Sequence, residues 1–122
     1  GGTVRIATPD LEVFLGLYKH EAEPRDGRYV RWVTDRYLNG PRAYKASFVI
    51  NNIFRGWGHQ FLYDGELLAM ALSEAGFARI RRAQPGQSEN EPLRGIESHG
   101  KVVQNEEMAA FETMVFEADR PA

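Results

Sequence analysis

Apolar residues along this chain recur with two periods, one helical and one alternating. Leu67, Leu68, Ala71, Leu72 and Ala75 return at helical spacing and form a single stripe. Asp64 can cap that helix, and Glu66 lies in its first turn, where an acidic side chain favours the dipole. Gly76 suits the left-handed residue that ends a helix, and Phe77 can fold back on the last turn. The pattern therefore predicts a helix over Glu66–Ala75 and a strand over Ala78–Ala83. A helix turning sharply through Ala-Gly-Phe into a strand is a unit of a layered α/β sheet.

Before this unit, Thr3–Ala7 is a short β run, broken by Thr8-Pro9-Asp10. Leu11, Phe14, Leu15 and Tyr18 then share one helical face, with Asp10 as its candidate cap. Glu21 to Gly27 reads as a polar loop. Arg28–Leu38 reads as a helix with Tyr29, Val33 and Tyr37 on one face and Trp32 beside them, stopped by Asn39-Gly40-Pro41. Lys45–Trp57 is a third helical stretch with Phe48, Val49, Ile50, Ile53, Phe54 and Trp57 spread nearly all round it. Such a helix is buried on more than one side or lies in an interface. After Ala83 comes a long polar loop, Gln84 to Met108, which should lie on the ligand side of the sheet. Ala109–Ala118 closes the chain as a β run with apolar groups on both faces, as in an interior strand. The sheet expected is small, mixed and three-stranded, with the last run antiparallel between the other two.

Composition narrows the class. At 122 residues the chain is one domain or part of one, and 43% hydrophobic with 26% charged residues is ordinary for a globular protein. A net charge of −2 gives no reason to expect nucleic acid or an anionic membrane as partner. Arg5, Arg79, Arg81 and Arg82 read as solvated strand positions. There are no cysteines, so neither disulfides nor thiolate metal sites, which suits a reducing, cytoplasmic setting. No apolar run has the length of a membrane span, and no signal peptide is visible.

The segment His-x-x-x-Tyr-Asp at His59–Asp64, the Leu-Leu helix, and Glu-Ala-Gly-Phe at Glu74–Phe77 resemble the late part of class I S-adenosylmethionine-dependent methyltransferases. The opening GGTVRIATPD, Gly1–Asp10, resembles their fifth strand. The resemblance implies the C-terminal part of a Rossmann-like methyltransferase fold, with residues 1–122 a single partial domain and residues 28–58 a helical insertion on the acceptor side. It also implies S-adenosylmethionine as cofactor and a small-molecule or other methyl acceptor. The family's glycine-rich cofactor loop and its ribose-binding carboxylate have no counterpart in these residues. The chain alone is therefore expected to be inactive and to hold no cofactor. The alternative is a non-catalytic binding or assembly module derived from that fold.

The candidate site residues follow from both readings. His59, before the central helix, can act as a general base or hold its loop by a side-chain–backbone bond. Arg55 and Trp57 beside it can take an anionic or planar group. Asp10 stands at the carboxyl end of a strand, as a cap or a substrate contact. Asn52, inside an apolar run, either bonds locally or lines a polar pocket. Tyr63 lies in the His59–Asp64 segment. Arg94 and His99, with Glu97, form a polar cluster on the long loop. His20, His59 and His99 have no metal-ligand spacing, so no metal site is expected. A homodimer is expected, because the outer side of Thr3–Ala7 and the apolar Lys45–Trp57 helix would otherwise face water.

Overall fold

Three strands, Thr3–Pro9 (β1), Ala78–Ala83 (β2) and Thr113–Asp119 (β3), form one sheet with β3 in the middle. β3 pairs antiparallel with each neighbour, so β1 and β2 point the same way without touching as a ladder. The order β1-β3-β2 is the one expected from the sequence. The expected mixed sheet is corrected: both ladders are antiparallel, because the only strand lying between the parallel pair runs against both of them. The computed structural model describes residues 1–39, 43–97 and 99–122.

The chain divides into two compact units, one of Gly1–Asp10 with Tyr63–Ala122 and one of Leu11–Leu62. In the first unit, helix Gly65–Glu74 (α4) packs Leu68 and Leu72 against Met114, Phe116 and Ala118 of β3. The Asp64 carboxylate accepts the Leu67 N–H at 2.8 Å and caps this helix. Gly76, at φ 91°, ends it, and the Phe77 N–H returns to the Leu72 carbonyl at 3.0 Å. β2 then carries a bulge between Ala78 and Arg81, with Arg79 at φ 49°.

The end of the chain differs from the strand read over Ala109–Ala118. A four-residue helix, His99–Val102 (α5), is followed by Glu106–Glu112 (α6), and only then by β3. The Asn105 side chain accepts the Met108 N–H at 3.1 Å and starts α6. Ala109, Ala110 and Phe111 are a short apolar run whose period cannot tell helix from strand, and the cap decides it.

The second unit is three helices, Leu11–His20 (α1), Pro24–Tyr37 (α2) and Ala46–Arg55 (α3). It contains the 28–58 stretch and also α1. α2 begins four residues before the expected Arg28, because Pro24 occupies its first turn, where the missing N–H costs nothing. The stop expected at Gly40-Pro41 lies outside the described residues. Phe14, Leu17, Tyr29, Val33, Val49 and Ile53 make its core. Phe14, Tyr29, Trp32, Tyr37 and Trp57 continue it as successive ring contacts 5.2–6.2 Å apart. α3 has no side-chain cap of its own. Glu21 supplies one, accepting the Ala46 N–H at 2.8 Å and the Lys45 ammonium at 3.2 Å. Those two bonds, the Ala46 one first, hold the Glu21 carboxyl below its ordinary value.

Truncating Met114, which is 1% exposed, should open a cavity between α4 and the sheet. Met114→Ala is expected to cost about 2–5 kcal/mol in urea denaturation. Met70→Ala, on the exposed side of α4, is expected to stay within about 0.5 kcal/mol of the parent.

Candidate functional site

The two faces of the sheet differ in chemistry. Alternation along β3 sends Met114, Phe116 and Ala118 toward α4 and leaves Val115, Glu117 and Asp119 on the other side. Register then sets Arg5 of β1 and Arg81 of β2 opposite Glu117. The Glu117 carboxylate, 1% exposed, takes Arg5 Nη1 at 2.6 Å, Arg81 Nη2 at 3.3 Å and the Ser88 hydroxyl at 2.5 Å. In the next row Asp119 accepts from Thr3 Oγ1 at 2.8 Å and from Arg81 Nη1 at 3.3 Å. These arginines, read as solvated in the sequence, are the inner partners of a charge lattice.

Residues 84–97 run across this face as a strap. None of them is buried, and polar contacts tie the strap down. Arg5 Nη2 donates to the Gln84 carbonyl at 3.1 Å, Asn90 Nδ2 to Thr3 Oγ1 at 3.3 Å, and Arg94 Nε to the Ser88 carbonyl at 2.8 Å. Glu97 closes it: one oxygen pairs with Arg5 Nε and the other accepts the Gly86 N–H at 2.8 Å. The Arg5 hydrogen bond is the main cause that holds the Glu97 carboxyl below its ordinary value. Burial alone would push Glu117 up; Ser88, Arg5 and Arg81 outweigh it and hold Glu117 low. Thr3 first, then Arg81, hold Asp119 low.

Strap residues line two hollows. One, of about 410 Å³, lies along Arg81–Gln84 with Gln87, Ser88, Glu89 and Glu117. The other, of about 350 Å³, is lined by Ala7, by Pro85, Gly86, Gly95 and Glu97 of the strap, and by His99, Lys101, Glu106, Ala109 and Thr113. It reaches Ala7 near the carboxyl end of β1, the side on which open α/β sheets bind ligands.

The residues singled out in the sequence separate into two sets. Asp10, Tyr63, Arg94 and His99 belong to the sheet unit; Asn52, Arg55, Trp57 and His59 belong to the helical unit. Asp10 is buried, its N–H on the Glu112 carbonyl at 3.1 Å and its carboxylate 3.0 Å from Arg82 Nη2. Tyr63 packs against the α4 core, and Arg94 is exposed on the strap. His99 Nε2 lies 3.1 Å from Glu112 Oε1 and lines the smaller hollow. In the helical unit, the His59 N–H ties its loop to the Ile53 carbonyl at 3.1 Å. Trp57 stacks edge-on to Tyr37, and Arg55 is exposed. Asn52 Nδ2 is buried with no hydrogen-bond partner among the described residues. Among the described residues, no group of three His, Asp or Glu side chains converges as for a metal.

Glu112 and Glu117 carried no assignment in the sequence, since both fell inside the apolar final run. The signal for Glu117 was alternation: Glu117 and Asp119 share one face of a strand, and Arg79 and Arg81 share one face of another.

Among the described residues, no glycine-rich strand-to-helix loop is present. β1 runs on through Thr8 and Pro9, where a break was expected, and passes to α1 at Asp10, whose carboxylate is already engaged by Arg82. This donor set does not fit S-adenosylmethionine. Compared with protein-family models, curated proteins and solved structures, the chain has no match. No helix among the described residues is long and apolar enough to cross a membrane.

Acid is expected to release the strap. Glu97 and Glu117 titrate lower in the folded chain than their ordinary value of 4.5. Their stabilisation is therefore complete above that value and is lost as pH falls through the lower folded values. The hydrogen-exchange protection of the Gly86 amide, which rests on Glu97, should fall there before that of α4. In Glu97→Gln, Gly86 protection should be weak already at neutral pH and show no acid step.

Proposed function

We propose that this chain is the acceptor-side, C-terminal portion of a class I S-adenosylmethionine-dependent methyltransferase. The observation that carries the reading is the strand order β1-β3-β2 with the last strand antiparallel in the middle. It is the arrangement expected for the fifth, seventh and sixth strands of the resembling family. In this reading the cofactor is held by a segment other than these residues. The acceptor lies by the carboxyl end of β1, with Asp10 and His99 of the sheet unit nearest to it, while Tyr63 on the α4 face and Arg94 on the strap stand apart from them. Within the helical unit, Asn52, Arg55, Trp57 and His59 are the residues the resemblance offers for the acceptor, with His59 as the base that would take its proton. A cytoplasmic setting suits this reading.

A second reading, a non-catalytic binding or assembly module, is favoured by the structural use of the site candidates, with the Asp10 carboxylate buried against Arg82 and Trp57 edge-on to Tyr37. Photocrosslinking with methyl-labelled S-adenosylmethionine separates the two. The protein isolated from its native cells is expected to be labelled, and the 122-residue chain, by calorimetry, to show no micromolar binding. A native protein of this same mass that takes no label would establish the module instead.

The reading also includes a homodimer. β1 is an edge strand, and an unpaired edge favours addition of another strand. Phe48 and Phe54 on α3 are 48% and 42% exposed. Sedimentation equilibrium at tens of micromolar is expected to give the dimer mass, reduced to the monomer by Phe54→Asp. A parent chain that is already monomeric would remove the dimer from the proposal.

A further inference from the structure

α5 brings His99 over the last residue of α6. The imidazole is 59% exposed on its side chain, whereas the Glu112 carboxylate that meets its Nε2 at 3.1 Å is 5% exposed. An ionised carboxylate only accepts hydrogen bonds, so in the neutral ring Nε2 carries the proton and Nδ1 keeps its lone pair. Among the described residues, Nδ1 has no protein partner.

The local backbone holds this pair in place. The Asn105 N–H donates to the Gly100 carbonyl at 2.9 Å and ties α5 to α6. A Cβ on Gly100 would stand 2.8 Å from Glu106 Cα, so only glycine permits this approach. The Glu112 carbonyl accepts the Asp10 N–H at 3.1 Å, which anchors the pair to the end of β1.

The hollow of about 350 Å³ beside His99 is at the small end of ligand pockets, roughly 300–1,000 Å³. Ala7, Pro85, Ala109 and Ala110 give it apolar walls. Both oxygens of Glu97 are taken by Arg5 and Gly86. Lys101 and Glu106, both exposed, have opposite charges, so the hollow favours a neutral occupant.

We propose that this hollow binds the hydroxyl group of a small, neutral, largely apolar molecule. Nδ1 of His99 is the acceptor, and Glu112 is the positioning residue that sets the tautomer. The ring nitrogen is oriented by a carboxylate that water does not reach, while the opposite nitrogen is left for a ligand. A site built to receive a donor discriminates against a ligand of the same shape without one. The inference does not depend on methyl transfer, because no step of it uses a methyl donor.

The test is NMR of protein labelled with ¹⁵N in histidine and backbone amides, titrated with phenol and, in parallel, toluene. His99 is expected in the Nε2–H tautomer. Phenol is expected to shift its Nδ1 and the Ala109 and Ala110 amides saturably, with toluene at the same concentrations leaving them in place and His20 and His59 silent. Glu112→Gln can turn either its amide oxygen or its NH2 toward Nε2, so the ring should lose its single tautomer and phenol binding weaken, by up to about fivefold for the loss of one hydrogen bond. His99→Phe, at an exposed position, should abolish the saturable amide shifts, and it carries the test should Glu112→Gln fail to fold. An Nδ1–H tautomer in the parent, equal responses to phenol and toluene, or no saturable response to phenol overturns the proposal. The labelling experiment with S-adenosylmethionine is read separately, so either idea can fail without the other.

Discussion

A carboxylate buried in the middle strand imposes the order of everything on its side of the sheet. Glu117 cannot reach water, and an unpaired charge there would cost several kcal/mol, on the order of 3–5. It is neutralised by one arginine from each neighbouring strand, which the antiparallel register brings directly opposite it. Swapping such a triad for apolar residues is often neutral or stabilising, so the lattice is weak evidence for added stability. Its consequence is specificity. A one-residue slip of either ladder would turn Arg5 or Arg81 into the α4 core and leave Glu117 alone.

The same lattice explains why a long segment without buried residues stays in place. None of residues 84–97 is buried, so hydrophobic burial contributes little to holding them. Arg5 does this instead: its guanidinium joins Glu117, Glu97 and the Gln84 carbonyl, and so couples the middle strand to both ends of the strap. Strap residues line both hollows, so their shapes depend on it. Fixing the strap through carboxylates ties the shape of a candidate ligand site to charge state. It also leaves the strap easier to open than the α4 core, since regions with few buried contacts lie at the low-stability end of a fold.

The helical unit uses a different economy of contacts. Its core joins aliphatic side chains to a run of rings from Phe14 to Trp57, three of whose contacts are edge-on and one, Tyr29 to Trp32, tilted. Glu21, from the link between α1 and α2, supplies the cap that α3 lacks. Pro24 lets α2 start early, directly after that link. The exposed rings of Phe48 and Phe54 come from the same run that reads as apolar all round. Only Ala46, Val49 and Ile53 of α3 find a buried place, because three helices offer it one face to pack against.

Local chemistry made part of this legible from residues alone. Asp64, the Leu68–Leu72 stripe, Gly76 and Phe77 specify α4 and its turn within a few residues of chain, and β2 follows. The two-sided apolar run around Met114 and Phe116 requires a central position, so the strand order was readable too. The boundary between α6 and β3 was not, because Ala109–Phe111 satisfies either period and the deciding cap, Asn105, looks like any loop asparagine. The site was legible only as a list of separate side chains. Arg5, Arg81 and Glu117 are far apart along the chain, and each is an ordinary charged residue by itself. Strand register turns them into a buried triad, just as the approach of α5 to α6 across Gly100 turns His99 and Glu112 into a pair. Sequence by itself determined the elements whose signals lie within one helical turn or one strand. Partnerships between charges, and the hollows beside them, waited for tertiary structure, because burial is what makes a charge choose its partner and no single segment contains its own burial.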